Sequence, residues 1–552
     1  MNPERILIIG GVAGGATAAA RARRLSETAE ITVVDRGPYV SFANCGLPYF
    51  LSGEIQKRSA LLLQTPEGFE GRYRVQVRLN TEALELDRDG KRVRVRGPGG
   101  ETWIPYDKLI LAQGSNPIIP PLEGANLPHA FKLWTVPDMD RLQTFLNAGQ
   151  AKTAVVAGGG FIGLEMAEAF HARGLAVTVV ELAPQVMTVM DHEFGSMVKD
   201  HLIGKGIAVV TGVGLKSVSA ESKEVELSDG RRIPADLVLF SVGVRPELTL
   251  AKQAGLALGE SGGVLVDEFL RTSDPAVFAA GDMIEVTQKV SGRKVRIPLA
   301  GPANRQGRIA ATNALGGSLK YRGALGSSVV KVLDATAAAT GLTEKMAREA
   351  GYAVGVAVVH KDHHAGYYPG GRRLTLKLVY DRRNGRLLGA QAFGQAGVDK
   401  RIDVLATALA GKMTLEDLSE LDLAYAPPYS SANDPINLAA FVGMNDLDGT
   451  SPLVTADELA ARFQPGTDTL LDVRNLGEFA RGHVPGALNI PVDELRGRLN
   501  ELSRAGALYV HCGVGYRAHL AVRVLKQNGY SPSNVTGGYI SMKASGLFQE
   551  EQ

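Results

Sequence analysis

One local pattern occurs twice in this chain and constrains its fold more than any other feature. Residues 5–9 (RILII) form a short apolar run that breaks at GGVAGG (10–15), continues as an alanine-rich helical segment to about Leu25 and resumes as ITVVD at 31–35. Residues 153–157 (TAVVA) run into GGGFIG (158–163), a helical segment through about Arg173, and AVTVVE ending at Glu181. Each copy reads as strand, glycine turn, helix and a second strand closed by an acid, which is a βαβ unit of a parallel sheet. LILAQGSNP (109–117) and LVLFSVGVRP (237–246) are apolar runs that break at small residues, Ala112 and Gly114 in one and Val242 and Gly243 in the other, so they read as matched exit points. A further apolar run, TSDPAVFAAGD (272–282), breaks at Gly281 and Asp282.

Glycine turns at the start of helices bring unpaired N–H groups and the positive end of the helix dipole to one place, with no side chain in the way, which suits a pyrophosphate. Gly158, Gly160 and Gly163 fit G-x-G-x-x-G directly after a strand, and Glu181 ends the next strand where it can accept from a ribose 2′-hydroxyl. A carboxylate there repels a 2′-phosphate and no arginine follows in ELAPQ, so NADH is expected rather than NADPH. The first loop departs from the strict pattern. Val12 takes the middle glycine's place among Gly10, Gly11, Ala13, Gly14 and Gly15, and Asp35 is the corresponding acid. Two dinucleotide sites are therefore expected.

A chain of 552 residues is long enough for three or four domains. Its 60 basic and 58 acidic residues leave a net charge of +2, too small a field to imply a nucleic-acid partner. No apolar run approaches the length of a membrane helix or a signal peptide, so no membrane partner and a cytoplasmic location are expected. The two cysteines, Cys45 and Cys512, lie far apart, and reduced thiols are the expectation. His360, His363 and His364 are expected in a glycine-rich loop, not at a metal, and no metal site is anticipated.

The paired loops, their exits and Asp282 together resemble the pyridine nucleotide-disulfide oxidoreductase family over residues 1 to about 443. The resemblance implies FAD in the first loop, the nicotinamide nucleotide in the second, and the aspartate of the GD pair on the flavin ribityl chain. Many members carry two redox cysteines, whereas Cys45 stands alone in SFANCGLPY. A lone thiol must form a covalent species with an external oxidant: a mixed disulfide, a persulfide or a sulfenate. Cys45 is expected at a helix start, where the dipole favours the thiolate.

SFANCG together with LAYAPPYSSANDPIN (423–437) resembles the coenzyme A-disulfide reductases. That resemblance implies Cys45 as redox nucleophile and two tyrosines approaching it from the interface domain of a partner subunit, hence a homodimer. The matching positions are Tyr425 and Tyr367, with Tyr368 as the neighbouring competitor. Thr17, Arg21 and Arg24 fall on one face of the first helix while Ala18, Ala22 and Leu25 are expected to face the sheet. The resemblance places coenzyme A contacts on that polar face and at Ser41, Asn44, Arg72 and Asn304. Asn433 stands where some of these enzymes have lysine.

Residues 453–552 resemble rhodanese domains, through TLLDVRNLGEFARGHVPGALNIP (469–491) and LYVHCGVGYRAHLAVRVL (508–525). A strand leads into a loop from Cys512 to Arg517 and then a helix, so backbone N–H groups and Arg517 are expected to surround a thiolate or persulfide. Asp472 and Arg474 are expected as an internal ion pair. The predicted fold is thus α/β: two Rossmann-like dinucleotide-binding domains, an α+β interface (dimerisation) domain and a C-terminal α/β rhodanese domain. The expected boundaries are 1–115 with 250–322 for FAD, 116–249 for NAD(P)H, 323–443 for the interface domain, 444–452 for a linker and 453–552 for rhodanese. The implied activity is FAD-dependent NAD(P)H reduction of coenzyme A persulfide, polysulfide or coenzyme A disulfide, with Cys512 relaying sulfane sulfur. Two alternatives stand beside it. One is an NADH oxidase or peroxidase, disfavoured because the first glycine loop lacks the histidine common in that group; the other is a redox sensor or sulfur carrier without turnover.

Overall fold

The structure is a computed structural model that describes residues 3–548. The described residues fold into two compact units, one reaching to Pro184 and resuming over Gly206–Gly326, the other formed by Gln185–Lys205 and the described residues from Ser327 onward.

The first unit holds two five-stranded parallel sheets of matching design. In one, the strands run in the order Val277–Ala279, Lys108–Leu111, Arg5–Ile9, Glu30–Val34, Val75–Arg78. The other runs Ala208–Thr211, Ala176–Glu181, Thr153–Ala157, Leu237–Phe240, Ala130–Phe131. In both, the exit strand lies directly beside the strand that feeds the glycine turn. Central residues such as Ile8, Leu109, Val155 and Leu239 are fully buried, as expected where helices cover both faces of a parallel sheet.

The first helix, Ala13–Leu25, packs on Ala300–Ala314. The crossing is so close that a Cβ on Gly307 would stand 2.1 Å from the carbonyl oxygen of Gly14. One expectation fails at its last turn. Leu25 is 43% exposed and the buried residue is Arg23. Its guanidinium donates to the carbonyls of Tyr73, Ser26, Ala29 and Arg74 at 2.7–2.9 Å. Several backbone carbonyls converge at this end of the helix, and a five-donor fork satisfies them where leucine could not.

In the second unit an antiparallel sheet runs Ser328–Val332, Ala335–Gly341, Leu387–Gly394, Arg373–Asp381, Val354–Asp362. His360 sits in the last of these strands, not in a loop. It is buried, with Nδ1 2.9 Å from Thr375 Oγ1 and Nε2 3.0 Å from Ser541 Oγ. The C-terminal sheet is parallel, in the order Leu453–Val454, Pro532–Val535, Leu508–His511, Thr469–Asp472, Leu488–Asn489.

The segment expected to be a linker at 444–452 begins inside the helix Pro435–Leu447. Asp446, buried in that helix, accepts from Tyr380 Oη at 2.6 Å and from Leu453 N at 2.8 Å and pairs with Arg382 at 2.8 Å. A buried charge with three partners ties the interface sheet to the first strand of the C-terminal domain, which is the opposite of a free hinge.

Candidate active site and sulfur loop

The two glycine loops have the same internal construction. Gly10 (φ +99°) and Gly158 (φ +107°) have backbone angles that disfavour any other residue, and a Cβ at either would stand 2.3–2.4 Å from the carbonyl oxygen of Ala112 or Ser241, just past the exit strand. A Cβ on Gly15 or Gly163 would strike the carbonyl oxygen of Gly10 or Gly158 at 1.8–1.9 Å. These glycines serve close packing of turn, helix and strand. Gly160 differs: nothing lies within 4 Å of where its Cβ would be, so this face of the turn is open.

The acids are pre-oriented. Asp35 accepts from Gly11 N at 2.8 Å and Gly37 N at 2.7 Å, and Glu181 accepts from Gly159 N at 2.7 Å and Ala183 N at 2.8 Å. Each carboxylate is fixed by backbone donors and keeps lone pairs for ribose hydroxyls. Burial pushes Asp35 and Asp282 above the usual aspartate range. Asp282 accepts from Ser115 Oγ at 2.8 Å. Beside the first loop is a cavity of about 140 Å³ lined by Gly10, Asp35, Gln113 and Glu247 among others, and the buried Gln113 Oε1 has no hydrogen-bond partner among the described residues. An orphaned acceptor and a buried carboxylate at a glycine turn fit a hydroxyl-rich dinucleotide such as FAD.

Cys45 lies exposed in the short 3-10 turn Asn44–Gly46, its Sγ 3.6 Å from Asn44 Oδ1, ahead of the six-residue helix Leu47–Ser52. Its thiol is pushed up rather than down, first by burial and then by Glu165 and Asp282. Cys45 does stand at a helix start as expected, but desolvation and the charges of Glu165 and Asp282 act against the dipole's preference for the thiolate.

Glu165 is a residue that the sequence reading missed. It lies on the helix Phe161–Ala172 that follows the second glycine loop, accepts from Tyr49 Oη at 3.1 Å, and is pushed up to about 7 by burial. Its signal was an acid inside the apolar stretch GFIGLEMAEAF. Raised above the 4.5 of an ordinary glutamate, it lowers native stability as pH climbs from 4.5 to about 7. Above that it holds negative charge towards Cys45. Glu165→Gln is expected to remove this pH step in thermal stability and to move the pH at which iodoacetamide alkylates Cys45 downward. A Cys45 alkylation profile unchanged by the substitution contradicts this coupling.

Of the other expected contacts, Thr17 Oγ1 donates to Asn304 Oδ1 at 2.6 Å, so these two are brought together across the helix pair. Arg21 donates to Thr312 Oγ1 at 3.0 Å, and Arg24 is exposed. Ser41 adopts φ +47°, and its backbone amide donates to Gly11 O at 2.8 Å, which fixes it against the first loop. Arg72 lies in the last turn of the short helix Pro66–Tyr73. In the second unit, Tyr367 and Tyr425 are both exposed and their hydroxyls lie 2.9 Å apart. Tyr368 instead packs edge-on against His364. The hydrogen bond to Tyr425 raises the Tyr367 hydroxyl above its usual range.

Cys512 is fully buried at the end of strand Leu508–His511, and Gly515 N donates to its Sγ at 3.2 Å. Gly515 (φ +101°) caps the helix Tyr516–Gln527. Arg517 does not simply close a ring on the sulfur. Its guanidinium is doubly bound to Glu478 at 2.6 and 2.7 Å, with Cys512 a secondary neighbour. Asp472 and Arg474 form the internal ion pair expected, at 2.6 Å and almost wholly buried. Among the described residues one group, His192, Glu193 and Asp457, has ligand-type atoms within 4.8 Å of one another, but Glu193 is already bound to Lys377 at 2.6 Å.

Two glycine-loop sheets, a lone exposed cysteine at a helix start and a separate cysteine loop define a two-dinucleotide oxidoreductase joined to a sulfur-handling domain. Family models for the pyridine nucleotide-disulphide oxidoreductases, their dimerisation domain and the rhodanese-like domain match residues 4–307, 327–434 and 455–545. The chain belongs to the pyridine nucleotide-disulphide oxidoreductase family, whose cofactors are FAD and a nicotinamide nucleotide. It is 36% identical over 440 residues to the NAD(P)H coenzyme A polysulfide/persulfide reductase of Pyrococcus horikoshii, covering 80% of this chain and 98% of that one. Reduced Bacillus anthracis CoADR-RHD superposes with a TM-score of 0.95 at 40% identity, over 99% of both chains. The NAD-dependent persulfide reductase from A. fulgidus gives 0.90 at 37%, over 97% of this chain and 99% of that one. Among the described residues no helix is long and apolar enough to cross a membrane.

Proposed function

We propose that this protein is an FAD-dependent NAD(P)H reductase of coenzyme A persulfide, polysulfide or coenzyme A disulfide, working through Cys45, with Cys512 carrying sulfane sulfur. The observation that carries this reading is the pairing of a lone exposed cysteine in a two-dinucleotide unit with a buried loop cysteine whose sulfur receives a backbone N–H. FAD held by the first loop through Gly10, Gly11, Gly14, Gly15, Asp35 and Asp282 supplies two-electron transfer from the nicotinamide nucleotide held at Gly158, Gly160, Gly163 and Glu181. Glu181 has both oxygens engaged by backbone donors and presents negative charge where NADPH has its 2′-phosphate, so NADH is the preferred donor.

The Cys45 thiolate attacks the inner sulfur of R–S–SH, forming Cys45–S–S–R and expelling hydrosulfide. Two electrons and a proton then regenerate the Cys45 thiolate and release R–SH. Thr17, Arg21, Arg24, Ser41, Asn44, Arg72 and Asn304 are the contacts for the coenzyme A carrier. In a homodimer, the partner subunit's Tyr425 and the partner subunit's Tyr367 donate to the departing sulfur. Their mutual hydrogen bond pre-orients the two hydroxyls.

The relay role has its own test. Cys512→Ser is expected to leave NADH oxidation with coenzyme A disulfide unchanged and to abolish turnover with donors that must first load sulfane sulfur on the protein. If the variant turns over every sulfur substrate like the parent, the relay is refuted.

A further inference from the structure

The loop of Cys512 opens into a concavity of about 430 Å³ whose lining crosses a domain boundary. From the rhodanese domain come Arg474, Glu478, Arg481 and Arg517; from the interface sheet comes Arg373. Their charges are not balanced. Arg474 is neutralised by Asp472, and Arg517 by Glu478, which that pairing holds down at about 2. Arg373 and Arg481 are exposed and form no ion pair among the described residues, which leaves two positive charges facing one pocket walled by Gly513, Val514 and Arg517 of the loop that follows Cys512.

The domains are held in this register by contacts at the loop itself. Val358 N, in the interface strand Val354–Asp362, donates to Thr536 Oγ1 at 2.9 Å, and His360 bonds Ser541. Between these contacts, Tyr539 N donates to Cys512 O at 2.7 Å, and a Cβ on Gly538 would stand 2.4 Å from that same oxygen. Arg373 opposes Asp362 in the neighbouring strand, so the sheet that grips 536–541 also sets the position of Arg373.

We infer that the sulfur-loading site is built by two domains, with Arg373 of the interface sheet and Arg481 of the rhodanese domain binding the dianionic group of the sulfane-sulfur donor. This rests on the reading of Cys512 as sulfur carrier. The dianion is thiosulfate itself or a phosphate of a carrier thiol persulfide. With thiosulfate, the Cys512 thiolate attacks the outer sulfur, the new S–S bond replaces the bond to the sulfonyl sulfur, and sulfite leaves with the electron pair. With R–S–SH the same attack on the terminal sulfur expels R–S⁻.

The test uses the full FAD-loaded chain and measures persulfide formation on Cys512 from thiosulfate, from coenzyme A persulfide and from an uncharged aryl hydropersulfide. In Arg373→Gln and Arg481→Gln, KM is expected to rise about tenfold or more for at least one dianionic donor, the loss of one charge-assisted contact. The maximal rate should stay near that of the parent, loading by the uncharged donor should not change, and Arg373→Lys should recover part of the affinity. A rise with thiosulfate alone, or with coenzyme A persulfide, identifies which dianion the site takes. Equal KM values in parent and variants for both dianions, or an equal loss with the uncharged donor, overturn the inference. Failure of every donor to load Cys512 in the parent refutes instead the carrier reading on which it rests.

Discussion

Lys377→Met is expected to destabilise the protein by about 3–5 kcal/mol, the penalty for leaving buried charge without its partner. Lys377 is 2% exposed in strand Arg373–Asp381, and its ammonium lies 2.8 Å from Asp191, 2.6 Å from Glu193 and 3.1 Å from Glu344. Asp191 caps the helix His192–Gly204, Glu193 sits in its first turn and Glu344 begins the helix Glu344–Glu349, so one ammonium binds both helices to the sheet. These carboxylates push Lys377 well above its usual value, and Lys377 in turn holds Asp191 low. Methionine keeps the length of the side chain and removes only the charge. Without it three acidic groups are left together with no cation between them, so the deficit should shrink at lower pH. Adding Glu193→Gln should recover part of the loss. Denaturant unfolding of the FAD-loaded protein, followed by a probe in the second unit, reads the effect; a loss under about 1 kcal/mol contradicts the assignment.

The second large effect is at Cys45. Cys45→Ser is expected to lower NADH-dependent turnover of every sulfur substrate by about a thousandfold or more, since serine cannot form the sulfur–sulfur bond. It should leave bleaching of the FAD by NADH intact, because Cys45 is not among the residues proposed to hold the two cofactors. That split separates a lost nucleophile from a lost fold. The raised thiol adds a condition. Because Glu165 and Asp282 oppose the Cys45 thiolate, activity limited by that thiolate increases with pH, and Glu165→Gln should bring the rise to lower pH.

The parallel sheets were readable in the chain because β-branched runs, glycine turns and terminal acids repeat in one order, and each of those signals has a local physical cause. Tyr367 and Tyr425 lie 58 positions apart and had to be paired through a family likeness; in the fold their hydroxyls are 2.9 Å apart. Other features depend on partners far away in sequence. Arg23 took the inside position assigned to Leu25 because carbonyls from a separate loop converge there. Glu165 and Lys377 each left a trace, a charge inside an apolar segment, but the trace does not say which side chains wait across the fold. Arg373 left none: an exposed strand-end arginine reads as a solvated charge until the rhodanese loop is placed beside it.

The most direct test of the account is anaerobic NADH oxidation by the FAD-loaded protein, comparing coenzyme A persulfide, coenzyme A disulfide and hydrogen peroxide, with and without Cys45→Ser. The expected result is fast oxidation with the persulfide, one sulfide released per NADH, and loss of that activity in the variant. Preferential turnover of peroxide, with no sulfide formed from the persulfide, contradicts the account and makes the protein a peroxidase that carries a sulfurtransferase domain.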